Sequence, residues 1–139
     1  ARVVWQAVGS HVTVMNPEAH DATFAAVSHL PHLLAFAAVN ALTAQEQGDT
    51  FLQMAGPGFR DFSRIAASDP AVWRDILHTN RDAVLAQLTQ FEDALAAFKA
   101  CIAGGDTDTL TQLISQASAQ RKAWQLPTGR TTSNDDDAA

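Results

Sequence analysis

No lysine occurs before Lys99, and the 139-residue chain carries nine Lys and Arg against fifteen Asp and Glu. The net charge is −6, half of it from Asp135, Asp136 and Asp137 near the C-terminus. A nucleic-acid surface needs clustered positive charge, so no nucleic-acid partner is expected. Cysteine is scarce as well: Cys101 alone cannot form an intrachain disulfide, which fits a reducing cytoplasm. No unbroken apolar run approaches the ~18 residues of a membrane span. The longest, residues 33–42, is interrupted by Asn40, so no membrane partner is expected. There is no H-E-x-x-H, no nucleophile elbow and no strand followed by G-x-G-x-x-G. Those absences remove the common zinc-protease, hydrolase and dinucleotide fingerprints. Residue 1 is Ala inside an apolar-patterned run, with no initiator Met or signal peptide, and a fragment of a longer polypeptide is expected.

What is present is helical patterning from end to end. Asn16-Pro17-Glu18 is a helix start: an Asn cap, Pro at the first helical position and an acid in the first turn. Ala22, Ala25, Ala26 and His29 come next at helical spacing, and Pro31 is expected to break or kink the helix between His29 and His32. Residues 33–42 are apolar almost all round, the mark of a helix buried centrally or in a subunit interface. Gly56-Pro57-Gly58 is a breaker, and a short helix starts from Phe59. Ser68-Asp69-Pro70 opens another, carrying Trp73. Val84, Leu88, Phe91, Leu95, Phe98 and Ile102 recur at spacings of 4, 3, 4, 3 and 4, a heptad-like seam for packing along a second helix. Gly104-Gly105 ends it, and Asp106 or Thr107 caps the last helix. The fold class is all-α.

The chemistry-bearing residues admit more than one reading. His20, Asp21, His29 and His32 are metal-ligand types, but the spacing around Pro31 matches no ligand motif, so no metal is expected. Ser28, His29 and Asp21 name a hydrolytic triad only on paper. Each His taken singly reads as a hydrogen-bonded core residue; three beside a mid-helix proline read as a cluster with a use. Arg60, Arg64 and Arg74 fall within fifteen residues. Local positive charge in an acidic chain suits a small anionic ligand, and equally suits helix-end salt bridges such as Arg64 with Asp61.

Taken together, H-D at 20–21, S-H-L-P-H at 28–32, G-F-R-D-F-S-R-I-A-A-S-D-P at 58–70 and W-R-D-I at 73–76 closely resemble the prephenate dehydrogenase family. The likeness is to its C-terminal helical domain and covers roughly residues 1–120. It implies a multi-helix dimerisation domain over residues 1–125, of the 6-phosphogluconate-dehydrogenase-like C-terminal type, with 126–139 a disordered tail or linker. The Rossmann domain that binds NAD or NADP, together with the catalytic histidine, is absent from this chain. The implied whole protein is a cytoplasmic homodimer of tyrosine biosynthesis. It converts prephenate to 4-hydroxyphenylpyruvate by oxidative decarboxylation, with tyrosine as an inhibitor. By the same resemblance Arg64 binds a substrate carboxylate, Asp61 ion-pairs near it, and His32 and Trp73 line the pocket. His20, His29, Ser28 and Arg60 are supporting residues. Pro57 stands where the family more commonly has glycine, which stiffens a ligand-facing loop. Arogenate dehydrogenase and a non-catalytic helical dimerisation module are the alternatives.

Overall fold

The computed structural model describes residues 2–9 and 12–125. Among them all regular structure is helical: α1 (Arg2–Ala7), α2 (Pro17–Phe24), a π-helical turn (Ala25–His29), α3 (Leu30–Thr43), α4 (Gly48–Gln53), α5 (Pro57–Ser63), a 3₁₀ turn (Arg64–Ala67), α6 (Pro70–Thr79), α7 (Arg81–Gly104) and α8 (Thr107–Ala123). They sort into two compact units, Asn16–Ala97 and the combination of Ala1–Met15 with Phe98–Ala139.

In the unit Asn16–Ala97, α2 starts as its sequence dictates. Asn16 is extended, its side chain accepts the Ala19 N–H at 2.7 Å, and Pro17 occupies the first turn. Pro31 does not break the helix. Residues Pro17–Thr43 run as one 27-residue helical stretch. Pro31 has no N–H to give the Val27 carbonyl, and its ring crowds that group. The turn before it widens instead: the Leu30 N–H reaches back five residues to the Ala25 carbonyl, and Ala25–His29 become π-helical. Helix and proline are thereby reconciled without a chain break.

The continuous stretch also corrects the membrane estimate. By length and composition it is apolar enough to cross a bilayer, which a search for an unbroken apolar run misses. Only 11% of its apolar window is buried within this chain. Ala25 and Ala35 are fully buried, and α3 packs against the π-helical turn, α4, α5 and the 3₁₀ turn. Small side chains on this helix let those backbones approach.

Two elements differ from expectation. The residues after Thr43, for which the sequence predicts no helix, hold α4. Gly48 begins it so close to α3 that an added Cβ would lie 2.8 Å from the Leu42 carbonyl oxygen and 2.9 Å from Thr43 Cα. Pro57 is not in a loop: Gly56 is the extended N-cap and Pro57 sits in the first turn of α5. There its fixed φ favours the helix and its missing N–H costs nothing. Asp69 caps α6 by accepting the Val72 N–H at 2.9 Å.

In the other unit, α7 ends where its glycines fall. Gly105 is left-handed (φ +68°), and the Asp106 N–H turns back to the Cys101 carbonyl at 3.0 Å. The Asp106 carboxylate then accepts the Thr109 N–H at 3.0 Å to start α8, a bond that holds its carboxyl below the usual carboxylate range. Along the seam of α7, Val84 and Leu95 fall in the unit Asn16–Ala97 and Ile102 in the other; Val84 is buried, but Leu95 and Ile102 are 55% and 67% exposed. The expected tail from residue 126 lies outside the described residues.

Candidate functional site

Three aromatic rings from one continuous helical stretch converge on a single side chain of α6. His32 stacks on Trp73 with ring centroids 3.6 Å apart and planes 18° from parallel. His29 meets the same indole edge-on at 6.1 Å and 80°, and Phe36 does so at 6.3 Å and 67°. The spacing explains the convergence: residues three, four and seven apart on a helix share a face. The π-helical turn carries His29 at its end.

Hydrogen bonding fixes which ring atoms remain. The His32 Nδ1–H donates to the Ser28 carbonyl at 2.9 Å, leaving Nε2 as the open ring position. Ser28 thus serves His32 through its backbone. His29 is held oppositely: its Nδ1 lies 3.1 Å from the Asn80 amide nitrogen, a donor, so Nδ1 accepts. Burial pushes His29 below the ordinary imidazole range. The Asp21 carboxylate works against that shift, while His20 and His32 add to it. His29 is therefore a neutral ring at neutral pH.

The remaining candidates are distributed differently. His20 is exposed on α2, donating to Asp21 Oδ1 at 3.1 Å and lying over Phe24 at 4.5 Å, with no ring contact to Trp73 among the described residues. Asp61 pairs with its neighbour Arg60, Nε to Oδ1 3.0 Å, on an exposed face of α5. The Asp61–Arg64 pair suggested by helical spacing does not form, because α5 ends at Ser63 and Arg64 enters the tighter 3₁₀ turn. Arg64 is exposed and makes no ion pair among the described residues. Arg74 pairs with Asp75 at 2.8 Å. Pro57 opens α5.

A recess of about 450 Å³ opens beside Trp73, lined by Phe36, Asn40, Ala66, Ser68, Pro70 and Leu77 among others. Ala66 comes from the 3₁₀ turn that begins with Arg64, so that turn borders the Trp73 wall, although Arg64 itself is not on the lining. A second recess of about 330 Å³ is lined by Asp21, His29, Asp75, Ile76, Thr79 and Asn80. Among the described residues no three His, Cys, Asp or Glu side chains group to hold a metal ion. Sequence reasoning missed Asn80 and Phe36. Phe36 had a signal, four residues after His32 on one helix face; Asn80 had none beyond its place between two helices.

Helical throughout its described residues, with a histidine–tryptophan wall between the Pro17–Thr43 stretch and α6, the protein falls in the class of all-α domains. Residues 16–116 match the family described as "Prephenate dehydrogenase, dimerization domain", and the chain belongs to that family. It is 31% identical over 121 residues to a cyclohexadienyl dehydrogenase of Zymomonas mobilis, covering 86% of this chain and 41% of that protein. Its structure resembles that of prephenate dehydrogenase from A. aeolicus in complex with hydroxyphenyl propionate and NAD+ (TM-score 0.80, 39% identity, 87% of this chain and 43% of that one). It also resembles an arogenate dehydrogenase of Synechocystis (TM-score 0.79, 27% identity, 87% and 45%). The chain spans less than half the length of the curated relatives it matches.

Proposed function

We propose that this chain supplies the dimer-forming, substrate-binding part of an NAD(P)-dependent prephenate dehydrogenase, which converts prephenate to 4-hydroxyphenylpyruvate by oxidative decarboxylation. The observation that carries the reading is the wall formed by Trp73, His29 and His32, with the turn bearing Arg64 at its border. It stands on membership of the family and on the likeness to an enzyme solved with a hydroxyphenyl acid.

The division of labour is set by charge. Prephenate is a dianion. His29, neutral at pH 7, offers it an Nε2–H donor but no positive charge. Arg74 lines the Trp73 recess but is held by Asp75, whereas Arg64, exposed and without an ion pair among the described residues, is left to grip a carboxylate in bidentate fashion. Trp73 and His32 give flat apolar area for the substrate ring, and His32 Nε2 is an open polar contact. Asp61, already engaged by Arg60, can exchange to Arg64 and so influence access; Pro57 stiffens the entry to α5.

NAD or NADP supplies the hydride acceptor. The described residues hold no strand and no glycine-rich strand–helix turn, so they do not fit a dinucleotide, and that group belongs to a Rossmann domain outside this chain. The chain's own work is binding and orientation. A second copy covers the exposed apolar residues of α7, Leu85, Leu95 and Ile102, and tyrosine, which shares the hydroxyphenyl and carboxylate groups of the product, is the expected inhibitor. Prephenate is preferred over arogenate as the reading because the prephenate enzyme is the more similar in sequence, 39% against 27%. The test joins this chain to the nucleotide-binding domain of a relative and follows NAD(P)H formation with each substrate. Turnover of prephenate is expected; turnover of arogenate alone would replace the assignment, and turnover of neither would remove it.

A further inference from the structure

Asn80 closes α6, and its backbone carbonyl accepts the Val84 N–H at 3.0 Å to start α7. Its side chain goes elsewhere. The amide nitrogen lies 2.8 Å from the Asp21 carbonyl oxygen on α2 and 3.1 Å from His29 Nδ1 on the π-helical turn.

A carbonyl oxygen only accepts, so the group facing Asp21 must be the NH2 and not the amide oxygen, which would repel it at that distance. One of the two amide protons is thereby committed. The other points to His29 Nδ1, which must offer a lone pair. A ring whose Nδ1 accepts is neutral and carries its proton on Nε2. The orientation of one amide, fixed by a backbone carbonyl, thus dictates the tautomer of the histidine beside Trp73.

We propose that Asn80 is a positioning residue: by donating to Asp21 O and His29 Nδ1 together, it locks His29 as the Nε2–H tautomer and sets its orientation against Trp73. The consequence for substrate, that this wall presents a fixed neutral donor, rests on the function proposed above; the tautomer lock does not. The charged and titratable groups around His29 are Asp21 and His20 on α2, His32 on α3 and Asp75 on α6. Of these, Asp21 favours the imidazolium and the two histidines oppose it. Burial is the largest cause of the downward shift of His29.

The lock is read by ¹⁵N-resolved imidazole NMR on the 139-residue chain, without substrate. In the unaltered chain His29 is expected as the Nε2–H tautomer, titrating below 6.5. Asn80→Asp, nearly isosteric, has no proton to give. It should place the proton on Nδ1 and raise the His29 midpoint by about 1–3 pH units, the usual effect of an adjacent opposite charge. Asn80→Ala should leave a mixture of tautomers. An Nδ1–H ring in the unaltered chain overturns the proposal without recourse to any variant. So does a tautomer and midpoint unchanged in whichever of the two variants retains its helical circular dichroism. If the NMR result is as expected but the joined enzyme fails to turn over prephenate, the substrate reading falls and the role of Asn80 stands.

Discussion

Trp73 is the residue at which the candidate site is held together. It meets His32 face to face and both His29 and Phe36 edge-on, and each such pair is worth about 0.5–1.5 kcal/mol beyond simple burial. Because the indole is only half-buried, Trp73→Ala is expected to cost about 2–4 kcal/mol, at or below the range for a fully buried Trp. Trp73→Phe should recover part of that by keeping a ring on His32. Urea unfolding followed by circular dichroism measures both, and a loss under about 0.5 kcal/mol in the alanine variant, the size of an ordinary surface change, would deny the cluster a structural role. His29 gives a pH signature. Its folded pKa lies below the unfolded 6.5, so the two states bind protons equally above that pH. As pH falls below 6.5 the unfolded chain protonates first, and stability declines until the folded-state pKa is passed. Unfolding midpoints at pH 7.5 and 5.5 should differ in that sense, and the difference should shrink in His29→Gln; a midpoint rising on acidification contradicts it. Much of this wall was legible in the sequence. His29 and His32 sit three apart on a helical run, and the W-R-D-I segment matched a family pattern. Asn80 was not legible, because its side-chain partners lie 51 and 59 residues away.

Among the elements, the stretch Pro17–Thr43 shows how a local rule yields to its surroundings. Proline excludes itself from an α-helical ladder, and the rule correctly located a disturbance. It did not say whether the chain would stop or widen, and a single π-helical turn keeps the stretch continuous from Pro17 to Thr43. Pro57 is the converse case, since a proline between glycines reads as a breaker, yet Gly56 caps and Pro57 begins α5. Capping signals at Asn16 and Asp69 were legible because each is completed within three residues, and of the two caps open for α8 the structure uses Asp106. The helix α4 was missed for the opposite reason: its start depends on contact with α3. Gly48→Ala puts a methyl 2.8 Å from a backbone oxygen that cannot step aside like a side chain. The expected loss is about 1–3 kcal/mol, typical of overpacking. Thermal unfolding tests it, and an unchanged or raised Tm would show that the α3–α4 approach is looser than described.

At the scale of the whole molecule, burial is what stands out. Among the described residues only Ala25, Ala35, Val84 and Cys101 form a buried apolar core, and no large side chain is fully buried. Val27, Leu95 and Ile102 are more than half exposed. A lone chain of this size ordinarily hides about two-thirds of its surface, so these faces are suited to a second copy, in keeping with a family described by dimerisation. Light scattering at micromolar concentration should give twice the 14.8 kDa of one chain, and a stable monomer would contradict the dimer.

The central claim is that this chain binds a dianionic substrate through Arg64 beside the histidine–tryptophan wall, and steady-state kinetics of the joined enzyme test it most directly. Loss of a charge-assisted contact of about 1.5–3 kcal/mol corresponds to a rise in KM for prephenate of about 10–100-fold in Arg64→Ala. Arg60→Ala, which removes a cation already paired with Asp61, should change KM far less. A KM unchanged in Arg64→Ala would remove Arg64 from the carboxylate site and contradict the account.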